Sequence, residues 1–163
     1  MASNNKTIIT AEPGRQELFI VREFEAPREL VFKAFATPAL IQKWLGPRDV
    51  KITLDYYKVE TNGAYRYTGE SCGMSFGFRG VIHEVTAPER IIQTFEFEGL
   101  PEKGHVSMET ARFEALPNNR TRVIIQSIFQ SVADRDGLVQ SGMERGVIDS
   151  HERLDELFEA GLE

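Results

Sequence analysis

The sequence predicts an α+β protein in which a curved antiparallel sheet wraps around a long C-terminal helix. Three observations predict it. Over residues 48–130, apolar and polar residues alternate in runs separated by turn signals at Asn62-Gly63, Ala87-Pro88 and Pro117-Asn118-Asn119, the spacing of a meander. From Asp134 the period lengthens, and Leu138, Met143, Val147, His151, Leu154, Leu157 and Phe158 fall near one helical face. Within the first span, Gly69, Gly73, Gly77 and Gly80 interrupt consecutive strands, where a sheet kinks or bulges. A sheet of this kind needs its apolar face covered, and the last helix is the element long enough to cover it.

The elements follow in order. In "ELFIVREFEA" the residues Leu18, Ile20, Arg22 and Phe24 alternate with Phe19, Val21, Glu23 and Glu25, which gives a strand with both faces partly apolar. Pro27 opens a helix, "PRELVFKAFATP", whose stripe is Leu30, Val31, Ala34 and Phe35. A second short helix, "PALIQKWL", stops at Gly46-Pro47. About six strands follow, and then the C-terminal helix. Residues 1–16 carry no such pattern and are expected to be a flexible segment preceding one domain over 17–163.

Composition narrows the function classes. A net charge of −6 and a pI near 5.2 argue against nucleic acid and against anionic membrane surfaces, both of which call for a basic face. No run of eighteen apolar residues exists, and "MASNNKTIITAEPGRQ" lacks the regions of a signal peptide. The single cysteine, Cys72, cannot close an intramolecular disulfide. A cytoplasmic protein is therefore expected. No surface stripe points to an oligomer, so a homodimer is neither required nor excluded.

The segments "FEAPRELVFKAFATPALIQKWLGP", "GVIHEVTAPERIIQTFEFEG" and "GMERGVIDSHERLDEL" resemble, in order and spacing, the Aha-type branch of the START-like, or SRPBCC, superfamily, across about Glu17 to Leu162. The resemblance implies the helix-grip fold. It also implies a choice of roles, since relatives include apolar-ligand carriers, polyketide cyclases and aromatases, and the branch takes its name from an activator of a chaperone ATPase. Members commonly carry tryptophan where this chain has Leu45 and Val147, so the resemblance implies a roomier pocket here.

Motifs for catalysis or metal binding are weak. "GESCG" matches G-x-S-x-G around Ser71, but that elbow needs a strand, a turn and then a helix, whereas Ser71 lies between two strands. His83, His105 and His151 do not form H-E-x-x-H and no C-x-x-C exists, so neither a metal nor another cofactor is expected. Glu96 and Glu98 alternate with Phe95 and Phe97 and should face away from those rings, while a bulge could turn Glu109 inward, where a buried carboxyl could serve as acid or base. No catalytic residue is assigned.

The aromatic content is the richer signal. Tyr65 and Tyr67, Phe76 and Phe78, and Phe95 and Phe97 each share a strand face. With adaptable methionines they would line a pocket for a hydrophobic ligand. The expected lining is Trp44, Tyr67, Phe76, Phe78, Phe95, Met108, Met143, Val147 and His151. The small residues Gly142, Gly146 and Ser150 either let the helix approach the sheet or leave room for the ligand. The leading reading is a non-enzymatic binder of a small apolar molecule. The alternatives are a module contacting a chaperone ATPase and a cyclase-like enzyme using the same cavity.

Overall fold

The computed structural model describes residues 4–162, in the order β1 (Ile8–Thr10), β2 (Glu17–Phe24), α1 (Arg28–Ala36), α2 (Pro38–Trp44), β3 (Lys51–Tyr57), β4 (Ala64–Ser71), β5 (Met74–Thr86), β6 (Arg90–Phe97), β7 (Val106–Leu116), β8 (Arg120–Ile128), α3 (Val132–Gln140) and α4 (Met143–Glu159). The strands form one antiparallel sheet in the order β1-β2-β8-β7-β6-β5-β4-β3. The first long strand thus pairs with the last, and α1 and α2 carry the chain across to the far edge at β3. The α+β class and the sheet gripping a C-terminal helix are as the sequence predicts.

Strand alternation sets the concave face. In β2 it is Leu18, Ile20, Arg22 and Phe24 that turn inward and are buried, and in β8 Val123, Ile125 and Ser127 lie opposite them. Bulges between Leu54 and Tyr56 and between Ile82 and Glu84 bend the sheet at its β3 end. The hairpin between β4 and β5 is a tight turn with Cys72 at φ 52° and Gly73 at φ 76°, the pair of left-handed residues that fits the sheet twist. Buried Phe24, Val31, Ile41, Trp44, Ile82 and Leu154 belong to the main core between sheet and helices. There α1 packs edge-on, with Phe32 and Phe35 at 5.0 and 5.2 Å from the Phe113 ring.

Two expectations need correction. The segment before β2 carries structure that the sequence does not predict: Ile8–Thr10 pairs in register with Val21–Phe19, and the buried Arg135 guanidinium donates to the carbonyls of Glu12 and Glu17 at 2.8 and 2.9 Å. Three residues are too few to show a period, and the anchor lies more than a hundred residues away. The first three residues of the expected flexible segment, and Glu163, lie outside the described residues.

The C-terminal helix is also interrupted. Ser131 caps α3 by accepting from the Asp134 amide at 3.0 Å, and α3 ends at Gln140. Gly142, at φ 84°, then reverses the chain into α4, so it stands at a helix boundary and not within a helix.

Candidate functional site

Between the concave face of the sheet, α2 and α4 lies a cavity of about 450 Å³. Its walls come from strand parity. On β7, Ser107, Glu109 and Ala111 face inward; on β6, Gln93 and Phe95 do; on β5, Phe76 and Phe78; on β4, Tyr65 and Tyr67. Helix α4 supplies Met143, Gly146, Val147, Ser150 and His151. The segment after α2 supplies Leu45, Gly46 and Pro47. Exposed Ser141 and Gly142 mark the rim between α3 and α4.

Aromatic rings run across four strands without a break. Tyr57 stacks on Tyr65 at 4.8 Å, Tyr65 on Tyr67 at 6.3 Å, Tyr67 on Phe78 at 5.0 Å and Phe78 on Phe95 at 5.6 Å. Phe76 meets Phe78 edge-on at 5.9 Å. These centroid separations are those of favourable ring pairs, worth roughly 0.5 to 1.5 kcal/mol each beyond burial. The ladder is therefore a rigid wall. On the opposite side Trp44 packs on Phe35 at 4.8 Å, and its indole N–H donates to the Ala34 carbonyl at 2.9 Å, which fixes the ring.

Of the expected lining residues, Trp44, Tyr67, Phe76, Phe78, Phe95, Met143, Val147 and His151 all border the cavity. Met108 does not. It pairs with Thr94 and Ile128 on the outer face and is 45% exposed, because its neighbours Ser107 and Glu109 take the inward positions. Leu45 and Val147, the two positions at which the resemblance implies a roomier pocket, both border the cavity.

Glu109 faces inward by plain alternation, with no bulge in its pairing to Gln93 and Ser127. Among the described residues, it is the only carboxyl in the lining, and His151 the only imidazole. Gln93 Nε2 and Ser127 Oγ each approach it at 3.4 Å, long for hydrogen bonds. Burial pushes its carboxyl above the ordinary glutamate range, against the smaller opposing effect of those two donors. The Tyr57, Tyr65 and Tyr67 hydroxyls are raised by burial first, and Glu109 adds to the effect.

His151 sits at the other end of the helix wall. Its Nδ1 lies 2.7 Å from Thr7 Oγ1, and its ring meets Phe24 edge-on at 5.5 Å. Burial, and the nearby Arg22 cation, lower its pKa to about 3, so the imidazole is neutral at pH 7. Next to it the buried Arg22 forms a bidentate pair with Asp155 at 2.6 and 3.0 Å. Ser150 accepts from the Gly46 amide and donates to the Gly146 carbonyl, both at 2.8 Å, which ties the loop after α2 to α4.

Other candidates fall away. Ser71 ends β4 and is followed by a hairpin turn and β5, not by a helix, so it is no nucleophile elbow. Glu96 and Glu98 leave the rings and pair with Arg79 and Arg66. His105 pairs with Asp134 at 3.0 Å, which raises its pKa. Among the described residues no cluster of His, Cys, Asp or Glu could hold a metal ion, and no helix is long and apolar enough to cross a membrane.

The profile of the family described as Activator of Hsp90 ATPase homolog 1-like protein matches residues 25–159. A crystal structure from Rhodobacter sphaeroides superposes with a TM-score of 0.84 at 22% identity, covering 95% of this chain and 99% of that one. A solution structure from Arthrobacter aurescens gives 0.81 at 24%, covering 91% and 88%. A protein from Silicibacter pomeroyi whose name carries the same family label gives 0.72 at 18%, covering 89% and 99%. No curated protein matches the chain. At these identities the likeness speaks for the fold.

Proposed function

This chain belongs to the Activator of Hsp90 ATPase homolog 1-like family, and from the cavity inside its fold we propose that it binds a small apolar or aromatic molecule without transforming it. The observation that carries the reading is the ring ladder from Tyr57 to Phe95, which borders the cavity of about 450 Å³. That volume is within the range of small-molecule sites, and a mostly apolar wall with a few convergent polar groups is their usual make-up. Trp44, Phe76, Phe78, Phe95, Met143 and Val147 supply the apolar contacts. Glu109 and His151 set orientation at two ends.

A non-enzymatic role is favoured because the carboxyl and the imidazole of the lining share no hydrogen bond among the described residues and so form no acid and base couple. His151 is held neutral with its Nδ1 engaged by Thr7, and Glu109 has only Gln93 and Ser127 as hydrogen-bond partners among the described residues. The test uses Trp44, the single tryptophan, as reporter. A panel of aromatic and aliphatic compounds is titrated while its fluorescence is followed. Saturable change with one chemical class supports the reading. A flat response across the panel from folded protein removes it and favours contact with a chaperone ATPase, which stimulation of Hsp90 turnover by the added protein would reveal.

A further inference from the structure

Glu109 is hard to account for as part of an apolar container. A carboxyl removed from bulk water costs several kcal/mol unless it is paired or neutralised. Here its two protein donors are neutral and distant, at 3.4 Å each, and among the described residues the cavity lining contains no lysine or arginine. The one basic side chain in the lining, His151, is neutral. On the strands around it, Glu84, Glu96 and Glu114 each have an arginine partner. Glu109 is thus a half-buried acceptor with unused capacity, bordering the space a ligand would fill.

The surroundings favour one sign of charge. The rings of the ladder stack on one another, so the charge that the wall presents to a ligand is set by Glu109. Tyr57, Tyr65 and Tyr67 are close enough to Glu109 for its charge to act on their hydroxyls. A ligand carboxylate would meet the Glu109 oxygens with no lysine or arginine to compensate among the described lining residues. A neutral carbonyl would bring only another acceptor to the ionised carboxylate. A chain of net charge −6 also draws cations toward it.

We infer that the cavity is built for a lipophilic amine, its protonated nitrogen seated against Glu109 and its apolar body lying along Phe78, Phe95 and Val147. The inference rests on the ligand-binding reading above and specifies its chemical class. Glu109 acts as the anchoring residue. Gln93 and Ser127 hold its carboxyl toward the cavity from the two neighbouring strands.

The test compares three probes of similar shape by calorimetric titration at neutral pH: phenylbutylamine, phenylbutanol and phenylbutanoate. Wild-type protein should bind the amine at least about tenfold more tightly than the alcohol, and the carboxylate most weakly. In Glu109→Gln, affinity for the amine should fall on the order of thirtyfold, the low end for removing one partner of a buried charge pair, while the alcohol changes by less than about threefold. The wild-type ranking does not depend on how any variant folds. Equal binding of amine and alcohol, or an unchanged amine affinity in a folded Glu109→Gln, overturns the inference and leaves the apolar pocket standing. Failure of all three to bind overturns both.

Discussion

Gly146→Leu separates a binding cavity from a merely close helix contact. A Cβ at Gly146 would stand 3.3 Å from Pro47 Cγ and 3.4 Å from its Cδ, so the Pro47 ring must yield by a few tenths of an ångström. That squeeze costs on the order of 1 kcal/mol, at the low end for overpacking. Against it, replacing a helix-interior glycine gains about 0.8 kcal/mol. The leucine side chain points back over the preceding turn, toward Met143 at the cavity rim. If about half of its added carbons leave water there, burial contributes roughly 1.5 kcal/mol at about 0.8 kcal/mol per methylene. The net expectation is a variant more stable by about 1 kcal/mol, read from urea unfolding, with ligand affinity reduced at least tenfold or so. A variant destabilised by about 1 to 3 kcal/mol with unchanged ligand affinity would refute the reasoning, since Gly146 would then serve packing alone.

Three further outcomes follow from the same geometry. His151 has a folded pKa of about 3 against an unfolded value near 6.5, so the unfolded chain binds the extra proton between them. Its contribution to stability should be complete above that unfolded value and be lost as pH falls toward 3, by up to about 1.4 kcal/mol per pH unit, and His151→Gln should flatten this slope in unfolding experiments. Glu109 is shifted the other way: the native state holds the proton longer, so its contribution is lost as pH rises from the unfolded glutamate value through the raised folded one. The stability of Glu109→Gln relative to wild type should therefore increase over that interval. Arg22→Ala leaves Asp155, whose side chain is only 12% exposed, without its partner, and should cost about 3 to 5 kcal/mol by chemical unfolding; a loss below about 1 kcal/mol would show that the pair is solvent-screened.

Much of this was legible in the sequence where local pattern and tertiary environment agree. The ring pairs at Tyr65 and Tyr67 or Phe76 and Phe78 share a face because strand alternation permits nothing else, and the turns at Asn62-Gly63 and Ala87-Pro88 bound the strands they separate. The Met108 assignment failed because residue type was weighed without parity. Once Ser107 or Glu109 faces in, Met108 must face out, and only the register with Gln93 and Ser127 decides which set is inside. Parity within β7 was the available signal: Phe113, two steps from Ala111, is a core residue, and counting back by twos reaches Glu109. The pairing of Ile8–Thr10 and the anchoring of residues 12–17 by Arg135 leave no local trace, since both depend on partners distant in sequence. The break at Gly142 was visible as a glycine, but its left-handed conformation was not, because an interior glycine and a boundary glycine read alike.

The central claim, that the space under α4 receives a ligand, is tested most directly by mapping amide and methyl chemical-shift changes as phenylbutanol is added to isotope-labelled protein. The account predicts saturable changes concentrated at Phe78, Phe95, Gly146 and Val147, with Met108 on the outer face unmoved. Changes centred on Met108 and the outer strand faces, with the cavity residues silent, would contradict it.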